Sequence, residues 1–165
     1  MKIQNLPSWW QAECLFLSLM GVGYLPVAPG TFGSLATVPF LFALSYYAVP
    51  VVFLIPIFIL ILAGGSFASE YVCKKHHIED PGWIVIDEFL GLFVAWLFYP
   101  THNLLYLGIL FGFFRLFDIK KIWPINLIDQ KLKNGFGVMA DDLVAGIYAG
   151  ICSLIFIKIH LHFFT

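Results

Sequence analysis

Two pairs of adjacent carboxylates stand where an otherwise apolar chain should have none. Asp87 and Glu88 lie inside the run IVIDEFLGLFVAW, and Asp141 and Asp142 close a polar segment just as the last apolar run begins. An ionised carboxylate at low dielectric is costly unless it is paired or bound to a cation, and two adjacent acids double the problem. For Asp87 and Glu88 the plain alternative is a helix-end pair facing headgroup water. For Asp141 and Asp142 it is a cap and dipole partner at a helix N-terminus, but one cap needs one Asp, and the surplus acid suggests a metal ligand. Arg115, Asp118 and Lys121 follow at intervals of three, which sets them along one side if the helix continues. They form either a structural salt bridge or a phosphomonoester site, with a guanidinium fork and a compact positive charge for its oxygens. Asp80, just before Pro81 and Gly82, is the remaining acid near this group. Glu70 and Asp129 are weaker candidates, and Glu79 is a solvated loop charge.

Oxygen ligands without a cysteine or histidine cluster point to a hard cation, magnesium before zinc. His76 and His77 are adjacent and lack metal-ligand spacing, which suits interfacial loop residues. His160 and His162, near the chain's end, read as structural. The stretch GVGYLPVAPGTFGS at 21–34, with four glycines and two prolines, predicts a loop whose backbone amides can face a ligand. Carboxylates, an arginine, lysines and an amide-rich loop together describe a metal-assisted site for a phosphate group. Transfer and hydrolysis would use similar groups, so these residues leave the reaction open.

The elements that must position these groups are apolar helices. Ser8 could cap a short helix running through Met20, placed either at a membrane interface by Trp9 and Trp10 or simply packed. From Leu35 to about Phe67 the chain is almost wholly apolar, and two helices turning near Ala48–Pro50 suit a bilayer needing about 20 residues per crossing. Residues 68–82 are the first strongly polar stretch. Apolar helices then cover Ile84–Phe98 and Leu104–Phe117, a polar segment covers Asp118–Asp142, and Leu143 to about Phe164 is the last span. The prediction is an all-α integral membrane bundle of about five short or kinked helices, formed by one domain over 1–165. Its glycine/proline-rich loop and both polar segments share one face. Lys74, Lys75, Arg115, Lys120, Lys121, Lys131 and Lys133 fall on that face, which makes it cytoplasmic by the distribution of positive charge.

Composition supports this class. The chain of 165 residues is 61% hydrophobic and 12% charged, with a mean hydropathy of +0.90, whereas a soluble domain carries about 25% charged residues. Apart from Glu13, every acid lies between Glu70 and Asp142, and only Lys2 and Lys158 among the bases lie outside that span. No basic run interleaved with aromatics suggests nucleic-acid binding. Cys14, Cys73 and Cys152 are odd in number and widely spaced, so free thiols are expected. Lys2 is followed by Gln4, Asn5 and Pro7 before any apolar run, which is not a signal-peptide pattern.

Three blocks resemble the phosphatidylglycerophosphatase A family of bacterial inner-membrane enzymes: PVAPGTFGSLATVPF at 26–40, DPGWIVIDEFLG at 80–91 and FRLFDIKKIWPINLIDQKLKNGFGVMADDLVAG at 114–146. The resemblance implies magnesium-dependent hydrolysis of phosphatidylglycerophosphate, a phospholipid, to phosphatidylglycerol and phosphate. It places the family's acidic positions on Asp80, Asp87, Glu88, Asp118, Asp141 and Asp142, its basic ones on Arg115 and Lys121, and its phosphate loop on Pro29, Gly30, Thr31, Gly33 and Ser34. The expected metal ligands lie among Asp87, Glu88, Asp118, Asp141 and Asp142. Two departures, Ile122 after Lys121 and Asn134 with Val138 near the last block, touch loop geometry and no charged group. The alternatives are a membrane phosphatidyltransferase acting on CDP-activated lipids, whose Asp-x2-Asp-Gly-x2-Ala-Arg signature is missing, and a non-enzymatic carrier or scaffold, which the one-faced clustering of acids disfavours.

Overall fold

The structure, a computed structural model, describes residues 7–8, 10–78 and 81–164. Among these residues seven α-helices follow in order: α1 (Ala12–Leu17), α2 (Pro29–Tyr46), α3 (Val51–His76), α4 (Ile86–Leu97), α5 (Leu104–Lys120), α6 (Ile125–Lys131) and α7 (Gly135–Phe164), with a 3-10 turn at Val22–Tyr24 between the first two. Among the described residues there is no strand. The predicted five principal helices are α2, α3, α4, α5 and α7, and α1 and α6 are short additions. Among the described residues only α3 and α7 are long and apolar enough to cross a membrane, with mean hydropathies of 2.6 and 1.8 over their best windows. At about 1.5 Å per residue, the 12 residues of α4 reach little more than half of a bilayer core.

The long helix α7 packs against α3, α4, α5 and α6 and is the axis of the bundle. Its crossing with α4 is made close by glycine. A Cβ on Gly91 would stand 2.6 Å from both the Asp142 carbonyl oxygen and the Phe114 ring, and one on Gly146 would meet the Gly91 backbone. Around this crossing, Leu92, Ala95, Trp96, Leu107, Leu110, Phe114, Ala145 and Ala149 form one buried cluster. A second, with Cys14, Leu17, Val72, Ile86, Leu90 and Met139, lies nearer the charged end.

Burial runs against the pattern of a water-soluble domain. Val52, Phe53, Ile55, Ile57, Ile59, Leu60 and Phe67 of α3 are exposed, as are Ile147, Ile151, Ile155, Phe156 and Ile159 of α7. Ser34, Thr37, Ser69, Ser153, Asp141 and Asp142 are buried instead. An apolar surface of that extent marks contact with something other than water.

Four local expectations are corrected. The predicted loop at 21–34 becomes helix from Pro29 onward, because proline pre-sets φ for the first helical position. Its glycines serve close packing, Gly30 against Glu88 and Gly33 against Val85. The helix expected from Ser8 to Met20 is confined to Ala12–Leu17, since Leu19 and Met20 take left-handed backbone (φ 48° and 58°). The polar stretch at 68–82 is helical as far as His76, where His77 in the left-handed region ends α3. Finally, α7 starts at Gly135, so Asp141 and Asp142 sit well inside it and do not cap its N-terminus.

The connectivity puts the starts of α2, α4 and α7 and the ends of α3 and α5 at one end of the bundle. The turns before α3 and α5 lie at the other, where the Tyr106 hydroxyl and His160 Nδ1 are 3.2 Å apart. One end therefore collects nearly all the charge.

Candidate active site

Three helices bring a carboxylate cluster together. Asp87 and Glu88 occupy the first turn of α4, and Asp87 Oδ1 accepts a hydrogen bond from the Glu88 amide at 3.0 Å. Asp142 reaches them from α7, so that one carboxylate oxygen from each of the three lies within 4.8 Å of the others. Asp118, on the last turn of α5, places a further negative charge near Asp142. The close α4–α7 crossing at Gly91 makes this convergence possible, because a side chain there would push the two acid-bearing helices apart.

Arg115 closes one side. Its guanidinium is 2.5 Å from Asp118 Oδ2 and 3.9 Å from Glu88 Oε1, with little solvent access. It also donates to Ser34 Oγ at 3.3 Å, and the Ser34 hydroxyl in turn donates to the Gly30 carbonyl at 2.8 Å. The first turns of α2 are thus fastened to the end of α5. Of the segment predicted to bind phosphate, Ser34 bonds Arg115 and Gly30 lies against Glu88 and Arg115. No hydrogen bond among the described residues ties Thr31 to the cluster. Pro29 starts the helix, and Gly33 packs on Val85.

Lys121 departs from the expected line with Arg115 and Asp118. It is the left-handed C-cap of α5 (φ 41°), so its side chain leaves the helix face. Its ammonium lies 2.6 Å from Asp129 Oδ1 and 2.8 Å from Asp141 Oδ2. Burial alone would lower its pKa, but the hydrogen bonds to Asp129 and Asp141 outweigh that effect and hold it above the usual lysine value. Asp129, a weak candidate by sequence, belongs to this network; the seven-residue helix α6 folds it back against α7. Glu70 has another role: it accepts the Gly135 amide at 2.5 Å and so caps α7, and it pairs with Lys74 at 2.7 Å. Asp80 lies outside the described residues.

The charge balance is lopsided. Six carboxylates (Asp87, Glu88, Asp118, Asp129, Asp141, Asp142) meet two cations, Arg115 and Lys121, at this end of the bundle. Like charges this close are unfavourable unless a cation joins them. Within the cluster two buried atoms have unused bonding capacity, the Glu88 Oε2 acceptor and the Arg115 Nε donor. An all-carboxylate donor set with a spare lone pair fits a hard divalent cation, and a spare guanidinium N–H beside it fits an anionic oxygen. Asp87, Glu88 and Asp142 are the residues that could hold such a cation.

Comparison with known proteins bears on what this arrangement is for. A family profile described as phosphatidylglycerophosphatase A matches residues 15–157. A phosphatidylglycerophosphatase A from Escherichia coli is 36% identical over 131 residues, covering 77% of this chain and 73% of the relative. One from Haemophilus influenzae is 41% identical over 134 residues, covering 78% of each chain. A Bacteroides thetaiotaomicron protein provisionally named phosphatidylinositol-3-phosphatase is 33% identical over 134 residues, covering 78% of this chain and 83% of its own. No solved structure matches the chain significantly. The matched span takes in every carboxylate and cation of the cluster described above, and the chain belongs to the phosphatidylglycerophosphatase A family.

Proposed function

We propose that the protein is a magnesium-dependent lipid phosphatase that hydrolyses phosphatidylglycerophosphate to phosphatidylglycerol and phosphate. It is a multi-pass protein of the bacterial inner membrane, with its charged end toward the cytoplasm. The observation that carries the chemistry is the meeting of Asp87, Glu88 and Asp142 within 4.8 Å beside a buried Arg115 that still has an unbonded N–H. The substrate comes from family membership. Two helices long enough to cross a bilayer support the membrane setting, and so does the exposed apolar surface of α3 and α7. The lysines gathered at the charged end support its cytoplasmic orientation.

In this reading Arg115 binds the terminal phosphate through its spare N–H and meets the charge that develops on the phosphoryl oxygens. Asp118 and Ser34 hold the guanidinium in place. A divalent cation held by Asp87, Glu88 and Asp142 supplies charge neutralisation and Lewis acidity. A carboxylate of the cluster accepts a proton from the attacking water. The bond from phosphorus to the glycerol oxygen breaks, and that oxygen is protonated as the alcohol leaves. Lys121 keeps Asp141 and Asp129 fixed.

The test is phosphate release by the purified protein in detergent. Phosphatidylglycerophosphate is supplied with magnesium, then with EDTA, and phosphatidylinositol 3-phosphate serves as the competing substrate. Release that needs the metal and disappears in Asp87→Asn and Asp142→Asn supports the proposal. No release under any divalent metal refutes it. Release of CMP from a CDP-lipid would establish the transferase instead.

A further inference from the structure

A cavity of about 380 Å³ opens beside the carboxylate cluster, between the end of α3 and the segment joining α6 to α7. Lys74, His77, Asp129, Lys133, Asn134 and Asp141 are among the residues lining it. Its size falls in the range of ligand pockets. It adjoins the cluster through consecutive residues of one helix: Asp142 faces Asp87 and Glu88, while Asp141 lines the cavity. Asp141, held by Lys121, therefore stands where the cavity meets the cluster.

The hydrogen-bonding character of the cavity is set by which of its groups are already engaged. Its carboxylates are paired: Glu70 with Lys74 and the Gly135 amide, Asp129 and Asp141 with Lys121. Asn134 Oδ1 accepts the Gly137 amide at 2.8 Å, which leaves the side-chain NH2 as its donor. Lys133 makes no ion pair with any described residue. What remains for a ligand is a mixture of donors, on Lys133 and Asn134, and of acceptors, on the unused lone pairs of Asp129 and Asp141, without strong net charge. That complements a small molecule whose hydroxyls both donate and accept and which carries a phosphate ester, better than a bare anion or an apolar group.

We propose that this cavity receives the glycerol portion of the lipid headgroup, next to the phosphoester that is cleaved, so that it selects a hydroxylated phosphate ester as substrate. The identity of the lipid rests on the phosphatase reading above; the cavity's preference for a polyol phosphate does not. Lys133 is its specificity-determining side chain, and Lys121 fixes Asp141 where the glycerol would meet the carboxylates.

Cys73 also lines the cavity, while Cys14 is fully buried and Cys152 lies on α7 away from it, so alkylation reads occupancy without reference to turnover. The protein in detergent is treated with a water-soluble maleimide, and modification of Cys73 is followed by peptide mass spectrometry with Cys152 as the internal reference. Glycerol 3-phosphate is expected to slow Cys73 modification about tenfold and leave Cys152 unchanged, with inorganic phosphate or glycerol alone much weaker. A short-chain phosphatidylglycerophosphate should protect at lower concentration than free glycerol phosphate; the reverse order would overturn the assignment to a lipid headgroup. No protection by either ester, or equal slowing at both cysteines, would overturn the site. Should Cys73 react too slowly to follow, calorimetric binding of glycerol 3-phosphate to wild type and Lys133→Gln decides, and equal affinities refute the proposal. In turnover, Lys133→Gln should raise KM about tenfold with kcat nearly unchanged, and Lys133→Arg should restore it. Protection without hydrolysis would sink the phosphatase reading and keep the cavity.

Discussion

Replacing Gly30 by alanine separates the activity of this site from the stability of the fold. Gly30 is the second residue of α2, and a Cβ there would run into the Glu88 carboxylate, with Glu88 Cδ at 3.1 Å and an Arg115 guanidinium nitrogen at 3.4 Å. The obstacle is the end of a side chain, so the backbone need not move. Glu88 must swing away by about 1 Å, and an off-rotamer side chain costs about 0.5–1.5 kcal/mol. Alanine regains up to about 1 kcal/mol of helix propensity over glycine, somewhat less in a first turn. The two effects nearly cancel, and the melting temperature should stay within a few degrees of wild type. Catalysis has no such compensation. The Glu88 carboxylate is one of three converging acids and stands 3.9 Å from the Arg115 guanidinium, and a displacement of about 1 Å at a reacting centre lowers the rate about 100-fold. Thermal unfolding by circular dichroism and phosphate release, measured on the same detergent preparation, give the two readouts. A Gly30→Ala protein that melts normally and retains kcat/KM within about threefold of wild type would refute the role given to Glu88.

Three further outcomes follow from the same geometry. In EDTA, Asp142→Asn should melt higher than wild type because it removes one like charge from the cluster, and it should lose the magnesium-induced rise; for wild type that rise corresponds to about 2.7 kcal/mol at a metal concentration 100-fold above Kd. Lys121→Met leaves Asp129 and Asp141 without their shared cation, and an unpartnered, partly buried group costs about 1–3 kcal/mol, read from chemical or thermal unfolding. The pH dependence of that difference has a definite sign: the folded pKa of Lys121 lies above its unfolded value, so the ion pairs contribute fully below the unfolded pKa of about 10.4 and are lost only as pH rises through the folded one. The melting-temperature gap between wild type and Lys121→Met should therefore be flat across neutral pH and shrink only in strong alkali. Gly146→Ala, whose Cβ would meet the Gly91 backbone, should lower stability by about 1–3 kcal/mol through overpacking, and metal binding should weaken with it.

The charged constellation was legible in the sequence because acids inside apolar runs are conspicuous. Asp87, Glu88, Arg115, Asp118, Lys121, Asp141 and Asp142 all prove to lie at one end of the bundle, and the turns near Pro50 and Pro100 lie at the other. What composition could not convey was local backbone geometry. Four glycines in fourteen residues read as loop, yet Gly30 and Gly33 are helical, because glycine also serves where two chains must touch. Spacing by threes aligned Lys121 with Arg115, and a single left-handed residue broke that alignment. Asp129 was hard to rank because its importance depends on the short helix α6, which returns it to a lysine eight residues earlier in sequence.

The paired acids also raise the question of why two carboxylates should be adjacent on α7 when only Asp142 joins the three-acid group. Asp87 and Glu88 are also consecutive and both reach the cluster from the first turn of α4, so it is the ion pair to Lys121 that sets Asp141 apart from Asp142. Asp142 joins Asp87 and Glu88, whereas Asp141 is held by Lys121 at 2.8 Å and faces the neighbouring cavity. An ion-paired acid behind a metal-binding one fixes the rotation of α7 about its axis, because turning the helix to improve one contact would break the other. The glycine contact at Gly91 and Gly146 sets the separation of α4 and α7 in the same way. Rotation and separation together determine where the Asp142 oxygens lie. The second aspartate therefore acts through position, and Asp141→Asn should weaken metal affinity and kcat less than Asp142→Asn while lowering stability more, an order that unfolding and metal titration of the two variants would reverse if both acids were direct ligands.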